Sequence, residues 1–220
     1  PRDTLIILDE VQEAPLALSS LKYFCENAPD YHVIAAGSLL GVAIHQGVSF
    51  PVGKIHTMRL YPLSFSEVRR AMGEESLAEL LDQGTMDLLS MFHDRFSTWL
   101  KNYYFVGGMP EAVEAFAAEK DYQEVRRTQQ DLVALYEVDF GKHIDSRELP
   151  RVRMVWNSIP AQLAKENKKF FFGQVKKGAR SKDLELAIQW LLDCGLIARV
   201  NRVTKPAVPL KAYQEDNAYK

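Results

Sequence analysis

Leu5-Ile6-Ile7-Leu8-Asp9-Glu10 is the stretch whose reading decides the fold. Four consecutive apolar residues closed by two acids form the pattern of a short strand buried on both faces of a parallel sheet. Downstream, Leu16, Leu18, Leu21, Phe24 and Cys25 recur at near-helical spacing until Pro29 ends the run. Val33-Ile34-Ala35-Ala36 comes next as a second buried strand, stopped by Gly37-Ser38. Strand, helix, strand is the βαβ unit, so the chain opens as part of a parallel α/β sheet. Ile55 to Tyr61 alternates in side-chain character and predicts a further strand ending at Pro62.

Beyond that point the period changes. Ser64 or Ser66 is placed to cap a helix from about Glu67, and helical spacing then continues to about Asp145. The predicted helices are Glu74 to Leu81, Met86 to Tyr104, Pro110 to Ala118 and Tyr122 to Phe140, with Gly107-Gly108 as the clearest break. Pro110 suits a first helical position, where its missing N–H would have no partner anyway. After Pro150 come a helix (Val152 to Glu166), a shorter one (Phe170 to Lys176), a turn at Gly178 and a helix from Lys182 to Cys194 capped by Gly195. Leu196 to Val203 and Leu210 to Tyr213 read as strands around a proline-bounded turn. Three helices and then a hairpin is the order of a winged helix.

Composition sets the outer limits. The chain has 220 residues, is 47% hydrophobic and 25% charged, and so reads as globular, large enough for one large domain or two small ones. No apolar run approaches the roughly 18 to 20 residues of a membrane-spanning helix. Pro1-Arg2-Asp3-Thr4 is neither an initiator nor a signal pattern, which leads us to expect a chain cut from a longer protein. Two cysteines, Cys25 and Cys194, are expected as reduced core thiols in a cytoplasmic compartment. The net charge of −2 hides an asymmetry: residues 1–150 hold 13 basic and 23 acidic residues, residues 151–220 hold 14 and 6. A basic patch of this kind binds a polyanion or docks on an acidic surface of the same or another chain.

The chemistry-bearing residues lie at the strand ends. An apolar tetrad running into Asp-Glu is the Walker B pattern of P-loop ATPases. Asp9 would stand at the carboxyl edge of the sheet, where a carboxylate can hold Mg²⁺, and Glu10 could polarise an attacking water. Ser38, on the neighbouring strand, occupies the place of a sensor that touches the terminal phosphate; a turn hydroxyl is the alternative. A phosphate-binding loop of the form G-x-x-x-x-G-K-[ST] is absent. Gly47 to Ile55 has five residues between its glycines and Ile where the hydroxyl belongs, so the loop is expected upstream of Pro1. The five histidines show no zinc-like spacing, and Ser38 and Ser64 lack a triad's partners. Tyr103-Tyr104-Phe105 and Phe170-Phe171-Phe172 are expected as core aromatics.

The sequence resembles the prokaryotic AAA+-type P-loop ATPases that carry a C-terminal domain of unknown function. The matching stretches are LIILDEVQ (Leu5 to Gln12), VIAAGSLL (Val33 to Leu40), LYPLSFSE (Leu60 to Glu67), YFVGGMPEAV (Tyr104 to Val113), DLELAIQWLLDCGL (Asp183 to Leu196) and Pro209-Leu210. The resemblance implies an α/β fold in three parts. Residues 1–66 would be the second half of an AAA+-like ATPase core, residues 67–150 its helical lid, and residues 151–220 a winged-helix-like start of the appended domain. It implies ATP and Mg²⁺ as cofactors, Asp9 as metal ligand, Glu10 and Ser38 as catalytic residues, and an ATP hydrolase in which this stretch alone is inactive. Relatives carry Gly-Arg where this chain has Gly53-Lys54; Lys54 either replaces that phosphate-sensing arginine as a point charge or is a surface lysine. A nuclease-like fold comes next in relatives, and its carboxylates are not found before Lys220. The candidate partners are ATP, DNA or RNA at Lys176, Lys177 and Arg180, and a second copy in a homo-oligomer, with no membrane. The competing class is a non-catalytic winged-helix module that binds nucleic acid or protein.

Overall fold

The computed structural model describes residues 3–38, 53–84 and 86–220. Leu39 and Leu40 of the sensor stretch, and the glycine-rich stretch up to Val52, lie outside the described residues. The described chain is mixed α/β, mostly helical, with a small parallel sheet. It falls into two compact units, one formed by residues 3–57 with 143–220, the other by residues 58–142.

In the first unit, β1 (Leu5–Leu8) pairs in parallel with β2 (His32–Ala35), Leu5 opposite His32 and Leu8 opposite Ala35. A 3₁₀ turn (Val11–Glu13) leads into α1 (Pro15–Asn27), which starts with proline in its first turn. Val11, Leu18 and Leu21 form the buried centre, with Leu8, Val33, Ala35 and Ile55 packed on it. Among the described residues the sheet is therefore covered on one face only. Leu5 is 51%, Ile7 64% and Ile34 53% exposed, so the expectation of strands buried on both faces is corrected. An apolar strand run records a capacity for burial; here one helix covers one face among the described residues. Cys25 is exposed and Cys194 half-buried, against the expected core thiols, because the α1 cluster stops at Leu21, one turn before Cys25.

The C-terminal part of this unit is built from α8 (Leu149–Leu163), α9 (Phe172–Val175), α10 (Ser181–Asp193), β3 (Asn201–Val203) and β4 (Gln214–Tyr219) once the helices of the other unit are numbered α2 to α7. The stripe Leu184, Ala187, Ile188 and Leu191 of α10 is buried, as are Val152 and Val155 of α8, and the two helices pack together. β3 and β4 form an antiparallel hairpin with an irregularity between Asn201 and Arg202. Leu210–Tyr213, expected as a strand, is a 3₁₀ turn, and the returning strand begins one residue later at Gln214. The hairpin turn is longer than the proline spacing predicts. Phe170 and Phe172 cluster with Tyr219, whereas Phe171 is exposed.

The second unit is helical: α2 (Phe65–Ala71), α3 (Glu75–Gln83), α4 (Met86–Met91), α5 (His93–Val106), α6 (Pro110–Glu119) and α7 (Tyr122–His143), the last residue of α7 falling to the first unit. The single predicted helix over Met86 to Tyr104 is two helices, parted at Phe92. Ser64 caps α2 with a reciprocal pair: Glu67 N–H donates to Ser64 Oγ (3.3 Å) and Ser64 N–H to Glu67 Oε2 (2.7 Å). The core gathers Val68 of α2, Val106 of α5, Ala112, Val113 and Phe116 of α6, and Val125 of α7. Arg69 is fully buried, its guanidinium 3.1 Å from the Trp99 ring centre, and burial lowers its pKa to about 10. Tyr103 donates to Leu63 O, while Tyr104 and Phe105 are exposed, so only one of that aromatic trio lies inward.

The expected strand Ile55 to Tyr61 is absent: residues 56–64 have no regular structure. Its peptide groups have no ladder partner among the described residues, and Met58 and Leu60 are almost wholly exposed. Alternation alone does not make a strand without a neighbour to bond.

Candidate functional site

The two parallel strands bring their carboxyl ends together, and both ends run on into polar residues. After Leu8 the chain passes straight into Asp9 and Glu10; after Ala35 it passes into Ala36, Gly37 and Ser38. Two backbone bonds extend the pairing past the ladder: Ala36 N–H donates to Leu8 O (2.8 Å) and Val11 N–H to Ala36 O (2.9 Å). Asp9-Glu10 and Gly37-Ser38 are thus held at one edge of the sheet by the backbone on both sides. This is where open α/β sheets bind ligands.

The turn itself is tightly built. Glu10 takes the left-handed conformation (φ 47°), uncommon for a residue with a side chain. Its N–H is satisfied by Asp9 Oδ1 (3.0 Å), and its C=O accepts from Glu13 N–H (2.9 Å). The Gln12 side-chain amide donates to Glu10 Oε2, fixing one carboxylate oxygen; Gln12 Oε1 is buried without a partner. Asp9, Glu10 and Ser38 are all exposed. The sequence pattern located Asp9 and Glu10, but it missed Gln12, whose only signal is its place two residues beyond the acids.

Lys54 stands apart from this edge. Its ammonium pairs with Glu26 Oε1 at 3.4 Å, near the end of α1. Since α1 starts beside the carboxyl end of β1 and runs back to the start of β2, Glu26 marks the opposite end of the strands from Asp9.

Among the described residues no three His, Cys, Asp or Glu side chains cluster as a metal cage. That is compatible with Mg²⁺, which keeps waters and takes one or two carboxylates plus phosphate oxygens. Asp9, exposed at the sheet edge, fits that single-carboxylate role.

The basic residues occupy a second location. Lys176 and Lys177 precede Gly178 (φ +80°) in the turn between α9 and α10, and Arg180 caps α10. All three are exposed and make no ion pair among the described residues. Asp183 is engaged by Arg180 N–H (2.8 Å), and Lys165 donates to Gln174 Oε1 (2.8 Å).

Comparison with known proteins defines the class and then the family. Residues 1–69 match the family model described as AAA domain, and the strand edge just described lies within the matched stretch. Residues 97–220, more than half of the chain, match the family Domain of unknown function (DUF8612), and the chain belongs to that family. No curated protein and no solved structure gives a significant match. No described helix is long and apolar enough to cross a membrane.

Proposed function

We propose that this chain is part of an AAA-like ATPase in which Asp9 holds Mg²⁺, Glu10 polarises the attacking water and Ser38 senses the terminal phosphate, in the cytoplasm. The observation that carries the reading is the shared strand edge, where backbone bonds at Leu8, Val11 and Ala36 hold both polar segments together. Bound Mg²⁺–ATP would supply the electrophilic phosphorus and the cation that neutralises its oxygens. The chain's own part is positional. Asp9 presents a carboxylate at the edge, with one oxygen already oriented by Glu10 N–H. Gln12 steadies the Glu10 carboxylate in the same way, leaving its other oxygen to accept a proton from water. Ser38 offers a hydroxyl that both donates and accepts. Lys54, tied to Glu26, takes the role of a surface ion pair in this scheme.

In domain terms the reading divides the chain at 1–66 (core), 67–150 (lid) and 151–220 (winged-helix-like effector), ATP turnover setting the state of the last; association with further copies belongs to the same scheme. The test is steady-state ATP hydrolysis by the protein with whatever residues its gene encodes ahead of Pro1. Glu10→Gln should keep Mg²⁺-dependent nucleotide binding and lose turnover by about a hundredfold or more. Equal turnover in variant and parent removes Glu10 from the mechanism.

A second reading is favoured by a separate observation: Lys176, Lys177 and Arg180 are exposed and without ion pairs among the described residues, around a tight turn. Such a surface contacts the phosphate backbone of DNA or RNA without reading sequence. Fluorescence anisotropy with two unrelated duplexes should show binding that collapses between about 50 and 200 mM salt and is lost on reversing the three charges. No binding by the parent at low salt makes this surface a protein-docking face instead.

A further inference from the structure

We infer that the C-terminal part of the first unit holds a binding site for a small amphiphilic anion, an apolar body ending in one carboxylate. A cavity of about 290 Å³ opens between α8, α10, the segment that follows α10 and the end of β4. Val155 and Ile188 form its buried floor, and Phe170, Leu196 and Tyr219 stand in its walls.

The floor is almost wholly apolar. Its one polar side chain, Gln162, is only 3% exposed and is bonded at both ends of its amide. Nε2 donates to Ser158 Oγ (3.2 Å), and Oε1 accepts from Phe171 N–H (2.7 Å). A water against the floor at Val155, Ile159 and Ile188 would lack its usual two to four partners, so that end of the cavity favours hydrocarbon.

Lys168 and Arg199 bring positive side chains to the wall, and no acidic side chain lines it. Lys168 and Arg199 are exposed and make no ion pair among the described residues. Arg199 is held with its guanidinium 5.3 Å from the Tyr219 ring centre. Glu185 is near enough to affect the Tyr219 hydroxyl, but it is not part of the lining. The space equals about ten water-sized groups, too little for a peptide helix and enough for a chain of about eight carbons. Apolar walls with convergent cations are complementary to a carboxylate head on an alkyl tail.

The test is calorimetric titration of the 220-residue chain with octanoate and, separately, with octyltrimethylammonium, which carries a similar tail and the opposite charge. Octanoate should bind saturably at one site, with the cation about tenfold weaker or worse, a factor worth about 1.4 kcal/mol. Arg199→Glu should cut octanoate affinity by about tenfold or more. Ala198→Trp, a replacement at an exposed position on the cavity wall, should abolish binding while the circular-dichroism melt stays at the parent's temperature. Arg199→Ala serves as a second variant, with a smaller loss in the same direction. Absence of octanoate binding, equal affinity for both amphiphiles, or unchanged binding by a folded Ala198→Trp protein each overturns the proposal. A dimer that covers the cavity and is indifferent to octanoate in sedimentation does so as well.

Discussion

The helical unit over residues 58–142 and the strand segment at the N-terminus use apolar residues in opposite ways. In the helical unit they point inward: Val68, Val106, Ala112, Val113, Phe116 and Val125 come from four helices and close on one another. Its connecting segments are tied in as well. Leu63 N–H donates to Gly108 O (2.7 Å), Tyr103 Oη–H donates to Leu63 O (2.8 Å), and Gln129 Nε2 reaches the last carbonyls of α5 at Phe105 and Val106. The strand segment buries only Val11, Leu18 and Leu21 and leaves Leu5, Ile7 and Ile34 in water. The first arrangement is self-sufficient; the second leaves a bare apolar face beside its polar edge. Motifs that look equally strong in sequence therefore differ in what they do physically: one set locks a core, the other presents a surface.

The sharpest way to break this contrast is Gly108→Ala. A Cβ there would meet the Leu63 backbone, its O at 2.1 Å, with no flexible side chain to give way. We expect a loss of about 4 kcal/mol or failure to fold, read by chemical denaturation. Stability within about 1 kcal/mol of the parent, on the same order as an ordinary surface change, would mean the segment does not dock as described. Next in size is a paired test on the strand segment. Leu18→Ala, at a site 1% exposed, should cost about 3 kcal/mol, whereas Ile7→Thr on the bare face should stay within about 0.5. Equal costs would show that the outer face is covered in solution.

The smallest effect concerns the α2 cap. Ser64→Ala should cost about 1 kcal/mol through the lost capping bond. The Ser64 backbone N–H, and then its hydroxyl, hold the Glu67 carboxyl below its ordinary value of 4.5. A carboxylate depressed in the folded state stabilises fully above its unfolded pKa, and that contribution is lost as pH falls below about 4.5. Thermal melts from pH 7 to pH 3 should therefore converge for parent and Glu67→Gln. A gap of constant size across that range would contradict the capping role.

Much of this architecture is readable in the chain because local signals agree with tertiary packing. Ser64, one of two serines placed to cap a helix, does cap α2, which starts at Phe65, and Pro110 takes the first position of α6. Ile55 to Tyr61 misled because alternation specifies a strand only when a neighbour accepts its hydrogen bonds. Leu5 and Ile7 misled because hydrophobicity records what a residue can bury, not what covers it. At the candidate site, Asp9 and Glu10 were visible from the abrupt change from apolar to acidic. Gln12 was not, since a lone amide carries no pattern, and neither was the cavity, whose walls come from α8, α10, β4 and the segments that connect them.

The bond between Leu63 and Gly108 has a topological consequence. It joins the two ends of a stretch containing α2 to α5, so that stretch behaves as a ring clasped at its base. Added length near Gly84, at the end of α3, where φ is +66°, would lie inside the ring and away from the clasp. Closure entropy grows only logarithmically, so doubling the length of such a ring costs about 0.6 kcal/mol. The unit can therefore vary greatly in girth at that bend while its core stays the same size.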